Sequence, residues 1–196
     1  MHYPQAPLSY EPLRYAFPSV ERESLINGTD VFLIPRSDED LFTMTVGIAT
    51  GAVYDDLAGT TSFTAEMLGR GTSTLTAEEF AEQVEARGCS VRTNADRDAS
   101  SINGAGLAEY AADIVRLSAD CLLNPRFDEL EIDRQRKRRL ADIMMNASDP
   151  DWLASRAAGS VAFGDHPYAR PREGTAATLA NITREMMLDE IGRAHV

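Results

Sequence analysis

The chain has 196 residues, 43% hydrophobic and 26% charged, which fits one ordinary globular domain and excludes a disordered tail or a membrane protein. Nineteen Lys and Arg against 31 Asp and Glu leave a formal charge of −12, a field that repels nucleic-acid phosphates and anionic lipid and mildly favours cationic peptides. Two cysteines (Cys89, Cys121) make neither a C-x-x-C nor a disulfide framework, and histidines at 2, 166 and 195 cannot pair at i, i+4 on a helix to grip zinc.

Residues 1–19, with prolines at 4, 7, 12 and 18, read as an extended arm, and 20–196 as one domain. The first twenty residues hold no basic segment followed by an apolar one, so no secretory signal is read there. Val20–Ile26 and Thr29–Pro35 flank Asn27-Gly28, the strongest hairpin signal in the chain, and predict a type I′ turn. Leu41–Thr50 places Phe42, Met44, Val46 and Ile48 on one face of a half-buried strand. Its mostly apolar run, extending to Tyr54, is too short to cross a bilayer.

Thr60–Leu68 predicts a helix closed by Gly69 and Gly71. A second, capped by Thr74 or Thr76, turns Phe80, Val84 and Ala81 inward and ends at Gly88. Cys89–Asn94 and Ala99–Ala105 read as paired strands around 96–98. Helices follow over Leu107–Leu123, with the stripe Leu107, Tyr110, Ala111, Ile114, Leu117 and Cys121, then Phe127–Ser148 and Pro150–Phe163. Thr175–Leu179 and Thr183–Ile191 close the chain. Strands, two helices, strands, then a helical block predict an α+β fold, a mostly antiparallel sheet against helices.

This order and its punctuation resemble the N-terminal domain of the pitrilysin/insulinase superfamily of metallopeptidases, the inverted zincins, which include the mitochondrial processing peptidase subunits. The residues that carry the resemblance are Asn27-Gly28 with Val31; Gly51-Ala52-Val53-Tyr54-Asp55; Gly59 through Gly71-Thr72; Gly88; Arg97-Asp98; Asn124-Pro125-Arg126-Phe127; Asp149-Pro150; His166-Pro167-Tyr168; and Gly174-Thr175. It extends from about Val20 to the last residue.

Active members carry H-x-x-E-H on a helix, two imidazoles one turn apart gripping zinc and a glutamate addressing its water. Aligned on Gly59 and Gly71, the first histidine falls on Ser62, the glutamate on Ala65 and the second histidine on Glu66. A slip of one residue makes Glu66 the base but Phe63 and Met67 the ligands. The resemblance places a third ligand, a family glutamate about 76 residues further on, at Asp142, and a second glutamate two turns earlier at Gln135. Serine is a poor zinc ligand and alanine accepts no proton, so zinc is expected to be absent and the chain to be a pseudo-enzyme. A divergent site holding a hard cation between Glu66 and Asp142, with or without His166, is the alternative.

The resemblance implies a partner subunit or second domain, since active and inactive chains pair in this superfamily. It also implies at least one further similar domain, a strand of the first sheet beginning about where Gly192-Arg-Ala-His-Val196 ends. It places Cys89, Ser90, Val91, Arg92, Thr93 and Asn94 on an edge strand, which either completes the sheet and no more or takes an extended peptide by backbone pairing. The basic run Arg134–Arg139 matches a loose nucleic-acid pattern, but Glu131 with Arg134 and Asp133 with Lys137 predict a solvated, salt-bridged helix face; the resemblance adds a narrower reading, that the run lines the family's cleft or meets a partner subunit. Ser62, His166 and an aspartate make no hydrolase triad, because no nucleophile elbow surrounds Ser62.

Overall fold

The computed structural model describes residues 16–36 and 38–193. It separates into two units, 1–39 and 40–196; most of the expected N-terminal arm lies outside the described residues.

The first unit contains an antiparallel hairpin of β1 (Glu21–Ser24) and β2 (Asp30–Leu33), with Ser24 opposite Asp30. Its turn departs from the expected type I′. Gly28 has φ +84° while Asn27 keeps a negative φ, so one left-handed residue follows an ordinary turn and forms a bulge. The Asn27 carboxamide explains the choice: its oxygen accepts from the Thr29 N–H (3.1 Å), a local bond that holds the turn without a strained Asn.

The second unit begins with β3 (Leu41–Ile48), which pairs with β5 (Ser100–Leu107); β5 also pairs with β4 (Ser90–Ala95), giving an antiparallel sheet in the order β3-β5-β4. Phe42, Met44, Val46 and Ile48 occupy the inner face of β3, as alternation requires. Helix α3 (Ala111–Leu123) lies close to β5 because Gly104 has no side chain: a Cβ there would sit 2.4 Å from Ile114 Cγ2. Ile114, Leu117 and Cys121 of the predicted stripe are fully buried, whereas Leu107 is the half-exposed end of β5. Burial pushes the Cys121 thiol up to about 12.

Helix α1 (Thr60–Leu68) runs through the centre; every residue except Glu66 is buried, Phe63, Met67 and Leu68 in the main core. Helix α2 (Ala77–Glu85) starts on a reciprocal capping box between Thr76 and Glu79 and buries Phe80 and Val84. Ala81 is exposed, because the position after Phe80 points about 100° away from the packed stripe. Helix α4 (Glu129–Asn146) is capped by Asp128, and α5 (Pro150–Phe163) by Asp149 with proline in its first turn. Two short helices, α6 (Ala176–Leu179) and α7 (Arg184–Arg193), supply Leu179, Ile182 beside them, and Met187 to the same core as Ile132 of α4. The architecture is α+β, as the element order requires.

Candidate functional site

Positions 62 and 66 lie one turn apart on α1, and 135, 139 and 142 lie on one face of α4, so the crossing of these two helices brings the expected ligand positions together. Between them sits Arg139, 6% exposed. Its Nη1 donates to Ser62 Oγ (2.7 Å) and its Nη2 to the Ser62 carbonyl (3.3 Å), while Nη2 also forms an ion pair with Glu66 Oε1. Gln135 Nε2 donates to the other Glu66 oxygen, and the guanidinium lies 5.5 Å from the Phe63 ring centre. Ser62 Oγ donates in turn to the Arg172 carbonyl (2.8 Å).

This donor set does not fit zinc. A zinc site needs three protein ligands with free lone pairs; here the Ser62 hydroxyl and both Glu66 oxygens are taken up by hydrogen bonds, two of them from a permanent cation. Asp142 is exposed and lines the same cavity, of about 260 Å³, without joining Glu66. His166 accepts from the Tyr168 N–H (3.2 Å) at the head of a single helical turn and packs on Phe163 and Tyr168. Among the described residues no three His, Cys, Asp or Glu side chains cluster to hold a metal. The crossing is closed instead by one guanidinium and a carboxylate.

The helix end that faces this crossing is fixed from below. Asp55 accepts from the backbone N–H of Gly59 and of Thr61 (both 2.9 Å), closing the start of α1. Gly59 (φ +98°) approaches Gly174 so closely that a Cβ would sit 2.8 Å from its Cα. Thr61 Oγ1 lies between Asp55 and the buried Glu190 of α7, which Thr50 also reaches. Burial raises the Asp55 pKa above the ordinary carboxylate value, and the neighbouring Glu190 charge adds to the rise.

A family model described as insulinase (peptidase family M16) matches residues 31–176. The chain belongs to the M16 peptidase family. It is 25% identical over 170 residues to a Bacillus subtilis protein named an uncharacterized zinc protease, covering 86% of this chain and 42% of that one. It is 25% identical over 139 residues to the mitochondrial-processing peptidase subunit alpha of Solanum tuberosum, covering 70% and 27%. The fold matches that of an M16 inactive domain from Pseudomonas fluorescens with a TM-score of 0.83 at 22% identity, over 87% of this chain and 42% of that one. The chain spans less than half the length of these relatives.

Beside this M16 site runs β4, an edge of the three-stranded sheet. The Asp96 N–H donates to the Ala99 carbonyl (2.8 Å), so positions 96, 94, 92 and 90 face β5 and the backbone groups of Val91, Thr93 and Ala95 turn outward. The Thr93 hydroxyl donates to the Ala65 carbonyl, one of the open carbonyls at the end of α1, which locks the strand against the helix. Cys89 precedes the strand rather than starting it; Ser90, Arg92 and Asn94 present their side chains to the opposite face.

The basic run divides between two environments. Arg134 pairs with Glu131 (2.6 Å) as expected, but Asp133 pairs with Arg136 (2.8 Å) rather than with Lys137. Arg136 is drawn inward because its guanidinium also serves the carbonyls of Leu179 and Ile182. Arg139, whose run reads in the sequence first as a solvated face and more narrowly as lining the cleft, is the central residue of the crossing. Its signal was its spacing, four after Gln135 and three before Asp142, which puts it on their face of the helix.

Proposed function

We propose that this chain is a non-catalytic member of the M16 family, whose cleft holds extended peptide beside a catalytic partner subunit or domain. The observation that carries this reading is the buried Arg139 guanidinium tied to Ser62 and Glu66. A cation at that place repels a divalent ion, and Ala65 offers no group to take a proton from water. The description of the Pseudomonas fluorescens neighbour as an inactive domain supports the same reading. Holding peptide needs only the outward backbone groups of Val91 and Thr93, which survive the loss of every ligand.

The test is metal analysis of protein purified without chelator, together with a general peptide-cleavage assay. The expected result is no stoichiometric zinc and no chelator-sensitive cleavage. Stoichiometric zinc with cleavage abolished by chelator overturns the proposal. Replacing Ala65 by Glu restores the missing base alone and is expected to leave cleavage at background.

A further inference from the structure

Beyond the end of β4 lies a second cavity, of about 550 Å³, that meets the first at Arg172 and Glu173. Four arginines line it: Arg97 from the β4–β5 turn, Arg156 from α5, and Arg170 and Arg172 from the segment before α6. Arg156 is neutralised by Glu173 (2.6 Å) and Arg172 by Asp96 (3.3 Å). Arg97 and Arg170 instead spend hydrogen bonds on the uncharged carbonyls of Tyr168 and Asp55 (both 2.6 Å), and neither has a carboxylate within 4 Å among the described residues. A chain of net charge −12 thus keeps two uncompensated cations at the rim of one cavity.

The position of Arg172 connects this cavity to the free edge. Its Nη1 donates to the Ala95 carbonyl (3.3 Å), the last outward-facing acceptor of β4. A peptide strand paired with Val91 and Thr93 therefore leads its next residues past Arg172 and into the arginine-lined space. We propose that this cavity is a carboxylate subsite, which makes acidic extended peptides the preferred occupants of the β4 edge. The inference rests on the peptide-holding part of the function proposed above. Guanidinium groups bind carboxylates through paired donors, and a peptide with one or two acids meets far less of the chain's own repulsion than a polyanion does.

Trp152, the single tryptophan, lines the cavity under Arg156 (4.4 Å to its ring centre) and reports occupancy by its fluorescence. The experiment titrates the whole protein with labelled twelve-residue peptides: neutral, acidic in the first half, and acidic in the second half. Each is made with a free and with an amidated C-terminus, to separate side-chain from terminal carboxylates. One acidic peptide is expected to bind about tenfold tighter than the neutral one and to change the Trp152 signal. The gain is expected to shrink in high salt and to fall within twofold in Arg97→Gln/Arg170→Gln, whose folding is checked by its unfolding midpoint. If that pair fails to fold, Arg170→Gln alone, at an exposed position, is expected to lose about half of the tenfold gain in logarithmic terms. Equal binding of neutral and acidic peptides overturns the subsite while leaving peptide holding intact. No binding of any peptide overturns both, and displacement of the acidic peptide by an oligonucleotide of equal charge overturns the carboxylate assignment.

Discussion

A single arginine and a cluster of arginines line two cavities that meet at residues 172 and 173, and they behave in opposite ways. At the α1–α4 crossing, Arg139 is buried and both its charge and its hydrogen-bond donors are consumed by Ser62 and Glu66. In the neighbouring cavity, Arg97 and Arg170 each donate to a neutral carbonyl, and Arg97 also lies over the Tyr168 ring (5.2 Å to its centre). A charge closed on an internal carboxylate acts as a staple between helices, because separating the pair leaves a charge in a poorly hydrated place. A charge that faces open space contributes little to folding and remains available to an incoming anion. Residue type is the same in both places; the difference lies in which acceptors the fold brings within reach.

Removing the staple is the strongest way to break this contrast. Arg139→Ala is expected to destabilise the protein by about 3 kcal/mol, the lower end for breaking a buried pair because Glu66 keeps contact with water. Chemical unfolding that shows a lower midpoint at unchanged slope checks this, and a loss below about 1 kcal/mol contradicts the staple. Next in size is a test of incompatibility with metal. Ser62→His, Ala65→Glu and Glu66→His together with Asp142→Glu are expected to bind zinc weakly while Arg139 remains. Adding Arg139→Leu is expected to tighten zinc by about 100-fold, read by competition with a zinc indicator, the upper range for removing one perturbing group around a metal site. Unchanged affinity would mean that the guanidinium is no obstacle.

The lower end of α1 sharpens the comparison with a buried anion. Asp55→Asn keeps one acceptor for the two backbone N–H groups of Gly59 and Thr61 and is expected to cost about 1–2 kcal/mol at neutral pH. Because the folded Asp55 pKa lies above its ordinary value of 3.8, the native state binds this proton more tightly than the unfolded chain does. The stability it contributes is full below 3.8 and is lost as pH rises through the raised folded value. The advantage of wild type over the variant is therefore expected to grow on acidification from neutral pH, measured as the difference between their unfolding midpoints. The smallest effect belongs to the open cluster: Arg170→Ala is expected to shift stability by less than about 1 kcal/mol, since one hydrogen bond to the Asp55 carbonyl is lost and no charge is left buried.

Much of the frame was legible in the residues themselves. The bounds of α1 followed from an apolar run closed by Gly69, and the sequence left Thr74 or Thr76 to cap α2, a choice that the structure makes for Thr76 through its capping box with Glu79. Alternation located the inner face of β3. Two of the failures share one cause. Leu107 continued the apolar stripe of α3 but was claimed by β5 pairing with Leu41, and Asp133 found Arg136 rather than Lys137 because Arg136 was already turned inward by carbonyls of a distant segment. In each, a long-range partner outweighed a local pattern worth a few tenths of a kcal/mol, about 0.2–0.5 for such helix pairs.

The sequence by itself determined that the H-x-x-E-H of the family's active members is replaced here. Serine, alanine and glutamate at 62, 65 and 66 cannot perform histidine and glutamate chemistry in any fold, because ligation and proton transfer are properties of the side chains. Only the tertiary structure decided what took its place. Whether an arginine in a basic run is solvated or becomes a counterion at the helix crossing depends on which face of α4 meets α1, and that is settled by packing of the whole core. The same holds for the β4 edge and the two open arginines: pairing parity and distant backbone carbonyls, not residue identity, leave those groups free to meet a ligand.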